Sequence, residues 1–282
     1  MTIALWVLAG LVLLCGLLLF LLAPRPRRKG GIAPLLGWDY AHRGLFDNES
    51  GPPVNSLPAF ARAVEGGYGI ELDVQLTRDG FLVVHHDASL KRVCGADLRI
   101  CDITFEELCR HPLPDGSCVP LFSDVLTLVG GRVPLIVEVK HHGGAARNAA
   151  SALQQLGAYG GPYCVESFHP LAMRYFRLHA PDVMRGQLAM GGARQPGETG
   201  FIVYFALKHL LVNSLSRPHF VAYSCPEDHT LAMWLMRRCF HPLLAAWTLR
   251  SQEALDGALA RGYQLPIFEG FIPRRDGARP SC

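Results

Sequence analysis

The chain has 282 residues, half of them apolar, with 27 Lys and Arg against 24 Asp and Glu and a net charge of +3. That length fits one large domain or two small ones, and the apolar half suffices for a sizeable core. Residues 1–31 contain no acid and carry Arg25, Arg27, Arg28 and Lys29; without these four the chain is near neutral, which excludes a basic nucleic-acid-binding face.

Residues 3–23, IALWVLAGLVLLCGLLLFLLA, are uncharged and mostly apolar. Roughly 20 helical residues cross the ~30 Å hydrocarbon core of a bilayer, so this run is expected to span one. A cleaved signal peptide would carry its charge ahead of a shorter apolar run; here the cluster RPRRK follows the run instead. Positive charge favours the cytoplasmic side. The expectation is a single-pass anchor in the cell (inner) membrane over 1–23, a basic, Gly- and Pro-rich linker over 24–37, and a cytoplasmic domain over 38–282. The nine cysteines show no CxxC spacing, so neither a zinc site nor a disulfide framework is expected, and they read as reduced, mostly core thiols.

Past the linker, strand-like apolar runs fall near 38–41, 69–76, 134–140, 162–166, 184–189, 219–223, 243–248 and 265–268. Amphipathic segments such as SLPAFARAVEGG (56–67) and HPLAMRYFRLHA (169–180) lie between them. Eight strands alternating with helices predict a TIM (β/α)₈ barrel, with a doubly wound sheet as the alternative. The apolar stretch 201–215 reads either as a barrel helix packed on the sheet or as a helix lying on a membrane.

The stretch ELDVQLTRDGFLVVHHDASL (71–90) carries the densest chemistry. Period-2 alternation puts Glu71 and Asp73 on one face and Ile70, Leu72 and Val74 on the other, so in a barrel the two acids point inward. Asp79-Gly80 signals an inserted β-hairpin after the second strand. With a two-residue turn, Asp73 lies opposite His86 and Val74 opposite His85, which selects His86 for chemistry; a bulge would swap the two. Clustered carboxylates repel one another without a cation, and hard oxygen ligands point to Mg²⁺ or Ca²⁺. A structural polar cluster is the alternative.

WDYAHRG (38–44) ends a short strand in His42 and Arg43. Arg offers a planar fork for phosphate oxygens, and His moves protons near neutral pH. PLIVEVK (134–140) is a buried-strand run interrupted by Glu138 and Lys140 on one face. Glu138 is placed to be a third carboxylate beside Glu71 and Asp73, and Lys140 to offset phosphate charge. A simple Glu–Lys structural pair is the other reading.

These motifs (AHRG, NSLPAF, ELDVQLTRDG, VVHHD, EVK, ESF at 166–168 and AWT at 246–248) resemble, in order, those of the glycerophosphodiester phosphodiesterase family, over about residues 38–270. The resemblance implies a TIM barrel that hydrolyses glycerophosphodiesters to an alcohol and glycerol 3-phosphate with a divalent cation. It implies His42 and His86 as the acid–base pair, Glu71, Asp73 and Glu138 as metal ligands, and Arg43 and Lys140 on the phosphate. Phe168 and Trp247, each ending a strand, are candidates to line the alcohol side of the pocket. Three departures stand out: Val54 where the family has Glu, Arg250 where it has Asn, and IFEGF (267–271) where it commonly ends in Thr-Asp. Glu269 is a candidate to replace that Asp. The substrate is then a small or lipid-derived glycerophosphodiester, with the membrane as the expected partner and no signal for oligomeric state. Rival readings are a phospholipase acting on intact membrane lipid and a catalytically idle binding protein.

Overall fold

Each of the eight apolar runs forms a strand. The computed structural model describes residues 2–25, 32–192 and 200–274. Helix α1 spans Thr2–Leu22, followed by β1 (Tyr40–His42), α2 (Leu57–Glu65), β2 (Gly69–Leu76) and β3 (Leu82–Val84). Next come α3 (Lys91–Cys94), α4 (Phe105–Cys109), α5 (Phe122–Val129), β4 (Leu135–Val139), α6 (Ala145–Leu156), β5 (Tyr163–Ser167), α7 (Pro170–His179) and β6 (Arg185–Ala189). The chain closes with α8 (Phe201–Lys208), α9 (Asn213–Ser216), β7 (Phe220–Ser224), α10 (Leu231–Leu235), β8 (Leu243–Leu249), α11 (Gln252–Ala260) and β9 (Leu265–Phe268).

The parallel strands run in the order β1, β9, β8, β7, β6, β5, β4, β2, and β1 pairs back onto β2. That closure makes an eight-stranded TIM barrel with no exposed parallel edge. Ile70, Leu72, Val74, Val137 and Val139 point outward into the layer between sheet and helices. Leu35, Tyr40, Ile136, Cys164 and Phe220 fill the interior at the strands' N-terminal end. Tyr40 fits there because its neighbour across the sheet is Gly69: a Cβ on Gly69 would lie 2.6 Å from the tyrosine ring. This packed floor leaves the C-terminal ends of the strands as the open mouth.

β3 pairs antiparallel with the upper part of β2, Val74 facing Val84 and Leu76 facing Leu82. The hairpin turn is therefore one residue longer than the two-residue turn expected from Asp79-Gly80. Only Gly80 takes a positive φ, +90°, whereas a two-residue type I′ turn needs two such residues. Asp79 is held otherwise, its carboxylate accepting from the Thr77 hydroxyl at 2.6 Å and from the Phe105 amide at 3.0 Å. The hairpin opens a small satellite core of Val83, Leu90, Ile100, Ile103, Leu108, Leu113 and Val119.

Within that excursion Cys109 and Cys118 are joined by a disulfide, which corrects the expectation that the thiols are all reduced. A turn in which the Leu113 amide donates to the Ser117 carbonyl (2.8 Å) returns the chain and brings the two Cα atoms to 5.0 Å. Among the free cysteines described, Cys164 alone is buried, and Cys15 and Cys239 are exposed.

α1 is 21 residues long and apolar enough to cross a membrane. Its C-terminal end docks on α9: Asn213 donates to the Leu22 carbonyl at 3.0 Å, and Arg217 to those of Phe20 and Ala23, both at 2.8 Å. The RPRRK cluster lies outside the described residues apart from Arg25, whose amide donates to the Pro218 carbonyl at 2.8 Å. The second half of the linker is part of the barrel, because Leu35 is buried in the floor and its carbonyl accepts from the Tyr40 hydroxyl at 2.6 Å. Residues 201–208 are not the sheet-packed helix that core-facing apolar runs usually form. α8 has no buried residue, and Ile202 is 81% exposed.

Candidate active site and metal centre

β1 ends at His42, level with Glu71 on β2. The chain then turns sharply, with Arg43 at φ +58° and Gly44 at φ +84°. Glycine is needed at 44, since a Cβ there would approach the Ala59 backbone to 2.9 Å. The turn lets the Arg43 amide donate to the Glu71 carbonyl at 2.8 Å and lays the Arg43 guanidinium 3.3 Å from Asp73. Asn55, also at positive φ, donates its side-chain amide to Asp73 Oδ2 at 2.9 Å. The next residue, Ser56, caps α2 by accepting from the Ala59 amide.

Parallel register places Asp73, Glu138 and Glu166 in one row across β2, β4 and β5. Glu71 lies two residues earlier on the inner face of β2. Ligand oxygens of Glu71, Asp73 and Glu138 lie within 4.8 Å of one another, all buried. Lys140 Nζ sits 2.7 Å from both Asp73 and Glu138. Four buried carboxylates thus meet the buried Lys140 and the half-buried Arg43. Burial, and then the Asp73 and Glu138 charges, push the Glu71 carboxyl well above the usual range. Burial does the same to Glu166, whose Oε2 has no hydrogen-bond partner among the described residues. Burial also works to raise Asp73, but Lys140 and then Arg43 outweigh it and hold its carboxyl well below the usual range. A divalent cation would relieve the repulsion among these carboxylates, and the donors are hard oxygens of the kind Mg²⁺ and Ca²⁺ take. The residues fit such an ion, with Glu71, Asp73 and Glu138 as the group that would hold it.

Above the carboxylates lies a cavity of about 220 Å³ lined by His42, Arg43, Glu71, His86, Glu138, Glu166, Phe168, Trp247 and Glu269, among others. The two aromatic rings meet edge to face with centroids 5.5 Å apart. Asp73 and Lys140 lie beneath it, in contact with Arg43 and Glu138. His86 reaches this cavity, but not through the hairpin face that selected it. The observed register puts His85 across from Asp73, the His85 amide donating to the Asp73 carbonyl at 3.0 Å. β3 has ended at Val84, so alternation no longer governs the two histidines. His86 Nδ1 pairs with the Asp87 carboxylate at 2.6 Å, and Arg92 holds the other oxygen of Asp87 at 2.6 Å. His85 is buried, its Nδ1 3.1 Å from the Asp87 carbonyl.

On the opposite wall, His42 Nδ1 contacts the Glu269 carboxylate and Nε2 stands 3.7 Å from Glu71. Burial lowers the basicity of His42 against the opposing pull of the Glu269 hydrogen bond. Burial works to raise Glu269, but that hydrogen bond, followed by the charges of His42 and Arg250, pushes it down to about 2. Arg250 Nη2 lies 3.2 Å from the second Glu269 oxygen.

A family model described as the glycerophosphoryl diester phosphodiesterase family matches residues 42–263. The chain belongs to this family. A glycerophosphodiester phosphodiesterase of Caldanaerobacter subterraneus subsp. tengcongensis is 31% identical over 55% of this chain and 68% of its own. Among solved structures, a Thermotoga maritima glycerophosphodiester phosphodiesterase is similar at TM-score 0.60 and 25% identity, covering 81% of this chain and 92% of that one. An Oleispira antarctica phosphodiesterase, solved in complex with the product sn-glycerol-3-phosphate, is similar in fold at TM-score 0.66 and 19% identity, covering 83% and 93%.

In this member of the glycerophosphoryl diester phosphodiesterase family, the site includes residues that sequence reasoning passed over. Asn55 and Glu166 sit inside recognised motifs, NSLPAF and ESF, yet neither shows its role locally. Asn55 reaches Asp73 only through a left-handed turn, and Glu166 joins the carboxylate row only through the β4–β5 register. Arg250 registers in the sequence only as a departure from the family pattern, and Glu269 only as a candidate for the missing Asp, whereas in the fold the two pair with each other and Glu269 holds His42. Val54, the third departure, is buried, and its apolar side chain offers no carboxylate in that place.

Proposed function

We propose that the chain is a divalent-cation-dependent phosphodiesterase that cleaves glycerophosphodiesters to an alcohol and glycerol 3-phosphate, with His42 and His86 as its acid–base pair. The observation that carries this reading is one cavity bordered by both imidazoles, Arg43, Glu71 and Glu138, with Asp73 completing the carboxylate group just beneath it. Arg43, with its guanidinium beside the carboxylates, orients the phosphodiester by its non-bridging oxygens. Lys140 offsets phosphate charge while holding Asp73 and Glu138 in place. A bound Mg²⁺ or Ca²⁺ supplies Lewis-acid charge to the phosphoryl oxygens. One histidine accepts the proton of the attacking hydroxyl, from water directly or from the substrate's own glycerol 2-hydroxyl; in the second case a cyclic phosphate forms as the alcohol leaves, and water then opens it to glycerol 3-phosphate. The other donates a proton to the departing alkoxide oxygen. Each transfer contributes on the order of 10²–10⁴-fold.

Phe168 and Trp247 flank the alcohol side. A cavity of about 220 Å³ suits a phosphate with a small polyol; pockets that enclose drug-sized ligands are typically ~300–1,000 Å³. Acyl tails of a lipid-derived substrate would therefore lie outside it. α1 is read as a retained anchor in the cell membrane, and the basic residues after it favour the cytoplasmic side for the barrel.

The test is replacement of His42 and of His86 by alanine, assayed against glycerophosphodiesters with Mg²⁺, Ca²⁺ or chelator. Turnover should collapse in both variants and with chelator, while His85→Ala retains turnover per folded molecule. Near-wild-type turnover in His42→Ala or His86→Ala removes that residue from the pair.

A further inference from the structure

The connection between β6 and β7 holds the end of α1 at one point and bares an apolar helix at another. Asn213 and Arg217 donate to the last carbonyls of α1, and the Arg217 guanidinium lies 4.4 Å from the centre of the Phe20 ring. These carbonyls have no partner within the helix and carry its negative dipole end, so an amide and a cation suit them. Upstream on the same connection, α8 exposes Phe201 (68%), Ile202 (81%), Val203 (50%) and Phe205 (45%). A contiguous apolar patch of this kind marks a surface that something else covers.

We propose that α8 lies on the membrane surface, with Phe201, Ile202, Val203 and Phe205 seated among anionic lipid headgroups and the upper acyl chains. The inference rests on α1 being a retained membrane span. Where a span ends, the bilayer surface begins, and α9 grips that end. Five residues from Lys208 to Asn213 reach at most about 18 Å, which keeps α8 beside the same surface. Charge agrees with a lipid occupant: residues 201–219 contain no acid and include Lys208 and Arg217, and basic groups gain about 1 kcal/mol each beside an anionic leaflet. α8 also sits toward the barrel mouth. The Tyr204 hydroxyl and Lys208 Nζ both donate to the carbonyl of Gly192, just beyond the mouth end of β6. A membrane-seated α8 therefore brings the rim of the active site to the lipid.

The full chain, reconstituted in phosphatidylglycerol–phosphatidylcholine vesicles, tests this with a photo-crosslinking residue placed singly at 202, at 13 within α1, or at 98 in the hairpin excursion. All three positions are exposed, so folding is not at stake. Lipid adducts detected by mass spectrometry at 13 and 202, with none above background at 98, sustain the proposal. An adduct at 13 without one at 202 overturns it while leaving α1 as a span. Adducts at neither position overturn both. Crosslinks from 202 to a second copy of the chain, in place of lipid, also overturn it.

Discussion

His42 is held from both sides: its Nδ1 faces the carboxylate of Glu269, and its Nε2 points toward Glu71 at 3.7 Å. A carboxylate on Nδ1 fixes the ring and its tautomer and stabilises the imidazolium that proton transfer creates. Glu269→Gln keeps the shape and removes the charge. It should lower kcat by about 10- to 100-fold with a smaller change in KM, and Glu269→Asp should restore part of the loss. Removing the charge also takes away a contribution that raises the basicity of His42, so the ring's apparent pKa should fall further. A pH–rate profile whose acid limb fails to move, with kcat unchanged, would show that Glu269 only packs there.

The same pair predicts a pH-dependent stability. Glu269 falls from the ordinary carboxylate value of 4.5 when unfolded to about 2 when folded. Its contribution is present above the unfolded value and drains away as pH drops toward 2. The difference in Tm between wild type and Glu269→Gln should therefore be flat above about pH 5 and shrink below it. A difference that grows on acidification would contradict the assigned charge state.

Because the buried carboxylates outnumber their cations, an added divalent ion should stabilise the fold as well as activate it. At 100 times its Kd, such an ion contributes about 2.7 kcal/mol. Mg²⁺ or Ca²⁺ should raise Tm in wild type and in Glu269→Gln, but not in Glu138→Gln, and calorimetry should show binding lost with Glu138. An equal Tm rise in all three proteins would place the ion elsewhere.

The barrel floor depends on Gly69 giving way to the Tyr40 ring. Gly69→Ala should destabilise the protein by about 1–3 kcal/mol, read as a lower urea midpoint with unchanged slope. Tyr40→Ala in the same chain should relieve the crowding, so that the two changes together lose less than their sum. Strict additivity would mean that the ring and the glycine do not meet.

Two features pull the membrane orientation opposite ways. The basic cluster after α1 favours the cytoplasm for the barrel, whereas a disulfide such as Cys109–Cys118 persists mainly in oxidising compartments. On the cytoplasmic placement, both thiols should be reduced in intact cells and blocked by membrane-permeant but not impermeant maleimide. An oxidised bond in freshly quenched cells would move the domain to the outer side.

The strands were readable because fully buried parallel strands are apolar runs, and polar residues inside them, Glu71, Asp73 and Glu138, could only face a site. Hairpin register was not readable from Asp79-Gly80. Asp79 spends its side chain on Thr77 and Phe105, and Phe105 belongs to a distant helix. The choice of His86 rested on that register, yet His86 comes to the cavity because β3 stops at Val84 and the chain bends. Glu166 and the Arg250–Glu269 pair depend on which strand neighbours which, a property of barrel closure rather than of any local pattern. α8 reads as core by its composition, and only the fold reveals that none of its residues is buried.

Leu35 wedged into the floor has a further consequence. The polypeptide enters the barrel from below, and its chemistry happens above, with a solid plug of side chains between. Ile32 and Leu36 pack against this same floor, so substitutions there should act on how the barrel is closed from beneath and not on the reacting groups at its mouth.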